Sequence, residues 1–148
     1  MEWQRFEKPD YGYTIDLPRR WIEQPPDLKN SPLETARFVD PEDRRHSVSV
    51  FRSMPAPETT AERLAERAQS ALERHSWTEF TVAADTIGSE PGLRLNTVKR
   101  DAGRVMALRQ YFVARGDVGL ILAANTVAAE EDDALLTEIS ERFGVLLD

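Results

Sequence analysis

The chain contains no cysteine, and that single absence removes disulfides, thiolate nucleophiles, iron-sulfur clusters and thiolate zinc sites together. Histidine is nearly as scarce. Two imidazoles in 148 residues leave any catalytic zinc site to carboxylates, which show no recognisable ligand spacing. The seven glycines form neither a G-x-G-x-x-G nor a G-K-[ST] element, so no phosphate-cradling loop is present. No long apolar run exists: the longest run of apolar residues and glycine, Val118 to Ala124, is far short of the roughly 20 residues that cross a bilayer. A basic surplus is missing as well. With 19 basic and 26 acidic side chains the net charge is −7, which repels nucleic-acid phosphates and anionic membrane surfaces. The opening residues Met1 to Lys8 lack a basic start followed by an apolar stretch, so a cytoplasmic location is expected.

What is present fits one domain spanning residues 1–148, enough chain to bury roughly two thirds of its unfolded surface. Arginine outnumbers lysine 16 to 3, a bias associated with high-GC bacterial genomes. Tyr13, Ile15 and Leu17 alternate with Thr14 and Asp16, which predicts a half-buried strand ended by Pro18. The Pro-, Asn- and Ser-rich stretch from Glu23 to Pro32 predicts an irregular loop. Two strands, Thr35 to Val39 and His46 to Arg52, flank the polar turn from Asp40 to Arg45, and Val48 and Val50 are expected in the core.

A helix is expected over Thr59 to Arg74, with Ala61, Leu64, Ala65, Ala68 and Leu72 as its inner stripe. Thr59 and Glu62 have capping-box spacing. From Thr78 to Thr126 the period changes to two. Phe80, Val82 and Ala84 alternate with polar neighbours, and turns are expected at Ser89 to Gly92, Asp101 to Gly103 and Arg115 to Val118. The near-continuous apolar character of Val118 to Asn125 predicts a strand covered on both faces. A last helix, Ala129 to Phe143, would turn Leu135, Leu136, Ile139 and Phe143 inward, carry its acidic run Glu130 to Asp133 at the positive end of its dipole, and use Gly144 as C-cap.

The segment Tyr11-Gly12-Tyr13 leading into Pro18-Arg19-Arg20-Trp21, set in this order of elements, resembles the PsbP-like superfamily and in particular its DcrB-type bacterial branch. The resemblance implies an α+β fold: an antiparallel sheet of about six to seven strands with two main helices packed on it as an α/β/α sandwich. It also implies action by binding other proteins. PsbP supports the oxygen-evolving side of photosystem II, other members bind the GTPase Ran, and Eag-type relatives chaperone apolar segments of secreted effectors. DcrB-like proteins often carry an export signal or a lipoprotein cysteine, and neither stands in these residues. An envelope location would follow only if a leader had been removed.

The remaining candidates for chemistry have bland readings. His46 near Asp40, Glu42 and Asp43 reads as a self-neutralising loop with Arg44 and Arg45 interleaved. His75 beside Ser76 lacks the orienting acid and oxyanion hole of a hydrolytic site. Of the tryptophans Trp3, Trp21 and Trp77, Trp21 is expected in the core. If Met106, Leu108, Phe112 and Ala114 point inward, Arg109 and Tyr111 point outward and form a partner face on the sheet. The expected function is therefore a non-enzymatic binding module, free of cofactor and metal, engaging an unidentified protein partner or a second copy in a homodimer, with no nucleic acid and no transmembrane segment. A rival expectation is a carrier of a small apolar ligand, or a chaperone of an apolar segment, using a pocket between sheet and helix.

Overall fold

The period-two pattern of the second half folds into the larger of two antiparallel sheets. The structure, a computed structural model, describes residues Met1 to Asp148. Strands β1 (Trp3–Lys8) and β2 (Tyr13–Pro18) open the chain, followed by β3 (Ile22–Gln24), β4 (Glu34–Asp40) and β5 (Asp43–Arg52). Helix α1 (Ala61–Arg74) leads into β6 (Thr78–Ile87), β7 (Glu90–Asp101), β8 (Arg104–Arg115) and β9 (Val118–Thr126), and α2 (Ala129–Arg142) into the short β10 (Gly144–Val145). Seven strands form one sheet in the order β3-β4-β5-β9-β8-β7-β6, and β1-β2-β10 form a second, small sheet.

The strand expected to be most buried, β9, is the central strand of the large sheet. Its alternate side chains serve two cores. Leu120, Leu122 and Ala124 join Val48, Val50, Tyr111 and Val113 beneath α2 and the small sheet, where Leu136, Ile139 and Phe143 close the layer. On the opposite face Leu95 and Phe112 pack against Leu64 and Ala65 of α1. The α+β architecture with one helix on each face agrees with the sandwich expected from the sequence; the small sheet adds to the α2 side.

That small sheet holds the strand expected to be half-buried and buries it more fully. Tyr13, Ile15 and Leu17 are fully buried, but their strand pairs with β1 and β10 and not with the large sheet. Asp16, on the strand's other face, is buried too, because Arg5 at 2.7 Å and Arg142 at 3.6 Å fold over its carboxylate. Strand β3 overlaps the start of the stretch expected to be a loop, taking in Glu23 and Gln24, and pairs with Val39, Phe38 and Arg37.

Turn positions shift in the same local way. The β6–β7 reversal uses Gly88 and Ser89, three residues before the Pro-Gly step that signalled it, since Pro91 and Gly92 already pair with Thr86 and Asp85. The β8–β9 hairpin turns at Gly116, whose φ of 66° only glycine adopts without cost. Gly144 is not a C-cap. Phe143 caps α2 in an extended conformation, and Gly144 starts β10. The α1 cap is Thr60, whose hydroxyl accepts from the Arg63 N–H at 3.1 Å. Thr59 instead donates its hydroxyl to the carbonyls of Ala56 and Asp117. Thr60→Ala should therefore cost about 1 kcal/mol in a urea titration, the usual worth of an N-cap, and an unchanged midpoint would remove the cap assignment.

Candidate functional site

Helix α1 covers only part of its sheet face, and the reason is in its stripe. Alanines at 61, 65 and 68 let the helix lie close to β6, β7 and β8. Gly119 on β9 makes room for Leu64, because a Cβ there would stand 2.3 Å from Leu64 Cδ1. Seated there, α1 leaves the β4 and β5 side of the same face without a helix over it. Register places Phe51 opposite Ile121, Ser49 opposite Ala123 and Ser47 opposite Asn125 on that side, where Ser49 and Ala123 are buried and the other four are half-buried.

Between α1 and the open strands lies a pocket of about 380 Å³. Phe51 and Ile121 form its floor, Leu64 and Ala68 one wall, and Leu33, Met54 and Ala56 the other. Apolar side chains make up seven of the nine lining residues, with Ser53 and Arg67 completing the set. Met54 is 70% exposed and Leu33 41%, so the mouth is an apolar rim open to water. Met54 follows from the loop's chemistry: Pro55 and Pro57 prevent α1 from starting earlier. The loop is pinned to β9, with Ser53 N–H on the Gly119 carbonyl at 2.9 Å, Gly119 N–H on Ser53 Oγ at 2.8 Å, and Ala56 N–H on the Asp117 carbonyl at 2.9 Å. These bonds fix the wall against β9.

Next to the floor, Glu34 is a carboxylate with no exposed side-chain surface, gripped by Arg37 at 2.7 and 3.0 Å and touched by Ser49 Oγ at 3.4 Å. The pair consumes the one buried charge on that part of the face. Of the pocket residues, Leu64 and Ala68 belong to the stripe expected to face inward and Ile121 to the apolar strand, whereas Glu34, Leu33 and Met54 carry no sequence signal. Leu33 and Met54 are lone apolar residues in polar loops, and only the fold shows that they meet.

The sequence candidates are placed elsewhere. Arg109 and Tyr111 do share the sheet face opposite Leu108 and Phe112, as alternation requires, but that face is covered. Tyr111 is 2% exposed within the α2 core. Arg109 donates to Asn96 Oδ1 at 3.1 Å, the Tyr111 hydroxyl at 3.3 Å, Thr137 Oγ1 at 3.4 Å and Asp133 Oδ1 at 2.5 Å. Burial works against its charge, while Asp133 and Tyr111 more than offset that and hold its pKa above the ordinary arginine value. These two residues fasten α2 to the sheet, which closes them off as a partner face. A hollow of about 280 Å³ beside Arg109, lined in part by Asn96 and Thr126, therefore offers a guanidinium that already makes four hydrogen bonds.

His46 Nε2 lies 3.8 Å from Asp43 of its own turn and 3.6 Å from Asp132 of α2. Asp40 is held by Arg20 and Asp43 by Arg45, and no group of three His, Cys, Asp or Glu side chains is placed to hold a metal ion. His75 and Ser76 are exposed at the end of α1. Trp21 is buried, and the Trp3 ring carries the Arg142 guanidinium 4.4 Å from its centroid.

Ion pairing gives the fold an acid dependence. Arg20 lowers the Asp40 pKa, Arg45 brings Asp43 down to about 2, and Arg109 lowers Asp133. Each group is harder to protonate folded than unfolded, so its contribution is intact above about pH 4 and is lost as pH falls through the folded values. Because each pair has a solvent-exposed member and is screened, their loss is modest; thermal melts should be level from about pH 7 to 5 and decline below about pH 4, and a melting temperature that stayed level to about pH 2 would contradict this.

No helix is long and apolar enough to cross a membrane. No family sequence model matches the chain, and no curated protein matches it in sequence. Solved structures do. Cyanobacterial PsbP (CyanoP) from Synechocystis superposes with a TM-score of 0.75 at 17% identity, over 97% of this chain and 92% of that one. LpqN of Mycobacterium tuberculosis, described as involved in cell envelope biogenesis, gives 0.58 at 13% identity over 99% and 91%. A protein of unknown function from Pseudomonas aeruginosa, PA94, gives 0.57 at 12% identity over 96% of each chain. The chain has the PsbP-like fold.

Proposed function

We propose that residues 1–148 act as one non-enzymatic binding domain that grips an apolar segment of a partner protein in the pocket between α1 and the open half of the large sheet. One observation carries the reading: a pocket of about 380 Å³ with seven apolar lining residues, floored by Phe51 and Ile121 and open to water at the exposed Met54 and Leu33 rim. Its volume lies at the lower end of the range for ligand sites, enough for a few apolar side chains. An open mouth that runs onto a sheet face suits a chain that continues beyond the pocket. The absence of any convergent nucleophile, base and electrophile in the pocket supports binding over turnover. Likeness to LpqN, whose description names envelope biogenesis, adds the envelope as a place to look for the partner.

The pocket's position between sheet and helix also suits a small apolar ligand, and one titration separates the two. A fluorescent naphthyl probe should bind saturably with one site per chain. Capped apolar peptides of about eight residues should displace it with dissociation constants below about 1 mM. Displacement by medium-chain alcohols but by no peptide would favour the carrier, and no saturable binding of any of them would reject both.

A further inference from the structure

Four strands lie at sheet edges, and three of them are guarded. Strand β3 has three residues and runs into Pro25 and Pro26, β10 has two residues, and β1 carries Arg5, Glu7 and Lys8. Strand β6 is the exception, with ten residues, no lysine and no proline. Its only register irregularity lies between Thr78 and Thr81, so Thr81 to Ile87 is regular. Along that stretch Thr81, Val82, Ala83 and Ala84 are exposed, Val82 at 46%. Natural sheets blunt such edges with charge, proline or bulges, because unpaired N–H and C=O groups invite another strand.

The direction of those groups can be read from Thr86. Its N–H goes to Asp85 Oδ1 at 2.7 Å, and its carbonyl accepts from Ser140 Oγ at 3.3 Å. Opposite it on β7 stands Pro91, which has no N–H to give. Thr86 therefore directs its backbone away from β7. By the two-residue alternation of an antiparallel ladder, so do Ala84 and Val82, while Ala83 and Asp85 bond to β7.

We propose that β6 pairs with β6 of a second copy across a two-fold axis at Ala83, joining two seven-stranded sheets into one. A two-fold normal to the sheet requires a residue to face itself. With Ala83 on the axis, Val82 of each copy meets Ala84 of the other, and these pairs exchange four backbone hydrogen bonds, using every outward group between Thr81 and Asp85. Ala83 meets its own copy at a non-hydrogen-bonded position, where Cα atoms come within about 4.5 Å and a small side chain is needed. Val82 packs beside an alanine, and Thr81 stands opposite Asp85 and can donate to it. A shift of the axis to Val82 would set Glu79 against Asp85, two acids, and draw in the irregular start of the strand. Within the chosen register Asp85 is neutralised by Arg94 at 3.1 Å. The ladder stops at Thr86, whose groups are already used.

Sedimentation velocity on the full chain from about 5 to 200 μM should show a species of twice the 16.8 kDa monomer mass growing with concentration. Because the chain has no cysteine, Ala83→Cys offers a direct reading. Oxidation should give a covalent dimer, since the facing Cα atoms fall in disulfide range, while Thr81→Cys should not cross-link. Val82→Pro removes an outward N–H without touching the ladder to β7 and should weaken dimerisation by at least about tenfold. Ala83→Lys, which sets like charges face to face on the axis, should do the same, with urea midpoints checking that both variants fold. A wild-type chain that stays monomeric to about 200 μM overturns the proposal, and so does a dimer that survives Ala83→Lys and fails to cross-link through Ala83→Cys.

Discussion

Tyr13→Ala should lower the stability of the folded chain by about 3–5 kcal/mol, the range for emptying a fully buried aromatic site. Tyr13 has no exposed surface, and its ring stacks on Phe143 at 5.4 Å between centroids and 13° between planes. Truncation would open a cavity at the junction of β2, α2 and the large sheet. The polar end is committed as well. The phenol oxygen lies 2.7 Å from Thr35 Oγ1, which donates to the Val50 carbonyl at 2.8 Å, so the hydroxyl relay bridges the two sheets. Burial pushes the Tyr13 phenol up to about 12, and the Thr35 hydrogen bond opposes that shift.

The conservative change separates ring from hydroxyl. Tyr13→Phe keeps the stacked ring and should cost only about 1 kcal/mol, leaving Thr35 its bond to Val50. Urea titrations of both variants decide the matter: equal losses would mean that the relay, not the packing, holds the small sheet on. With total stability for a domain at about 5–15 kcal/mol, the alanine variant gives up a large share of it. Neither variant should change the affinity of the folded protein for an apolar probe, since Tyr13 lies on the α2 side of the large sheet and the pocket on the α1 side.

The same residue shows how much was legible from residues alone. Alternation at Tyr13, Ile15 and Leu17 was enough to place them inside, because burial on one face follows directly from period two. Which sheet they join was not legible, since β10 arrives from the far end of the chain and pairing partners that distant leave no local pattern. Arg109 and Tyr111 make the complementary case. Their shared face followed from alternation, but whether it was open depended on where α2 docks, and Arg109 reaching Asp133 and Thr137 is the contact that settles it. Val82 failed in the other direction. Its place in an alternating run suggested an inward side chain, and at a sheet edge it is exposed. The pocket left the faintest trace of all, because Leu33, Phe51, Met54, Ala68 and Ile121 come from five separate segments.

Ala68→Trp should weaken binding of an apolar peptide or probe by about 30-fold or more, equivalent to about 2 kcal/mol, while leaving the fold in place. Ala68 sits half-buried on α1, where its methyl group faces the space above Phe51 and Ile121. An indole there would occupy the volume that the ligand needs. Tryptophan is a poorer helix former than alanine by up to about 0.7 kcal/mol, and the apolar area it covers on Phe51 and Ile121 offsets that cost, so the urea midpoint should move by no more than about 1 kcal/mol. The paired measurement gives the experiment its force. Core changes such as Tyr13→Ala alter stability and spare affinity, whereas Ala68→Trp should alter affinity and spare stability, and no general loosening of the fold produces that second pattern. Retained wild-type affinity in a folded Ala68→Trp protein would show that the apolar ligand sits elsewhere, and the binding role assigned to the α1 pocket would fall with it.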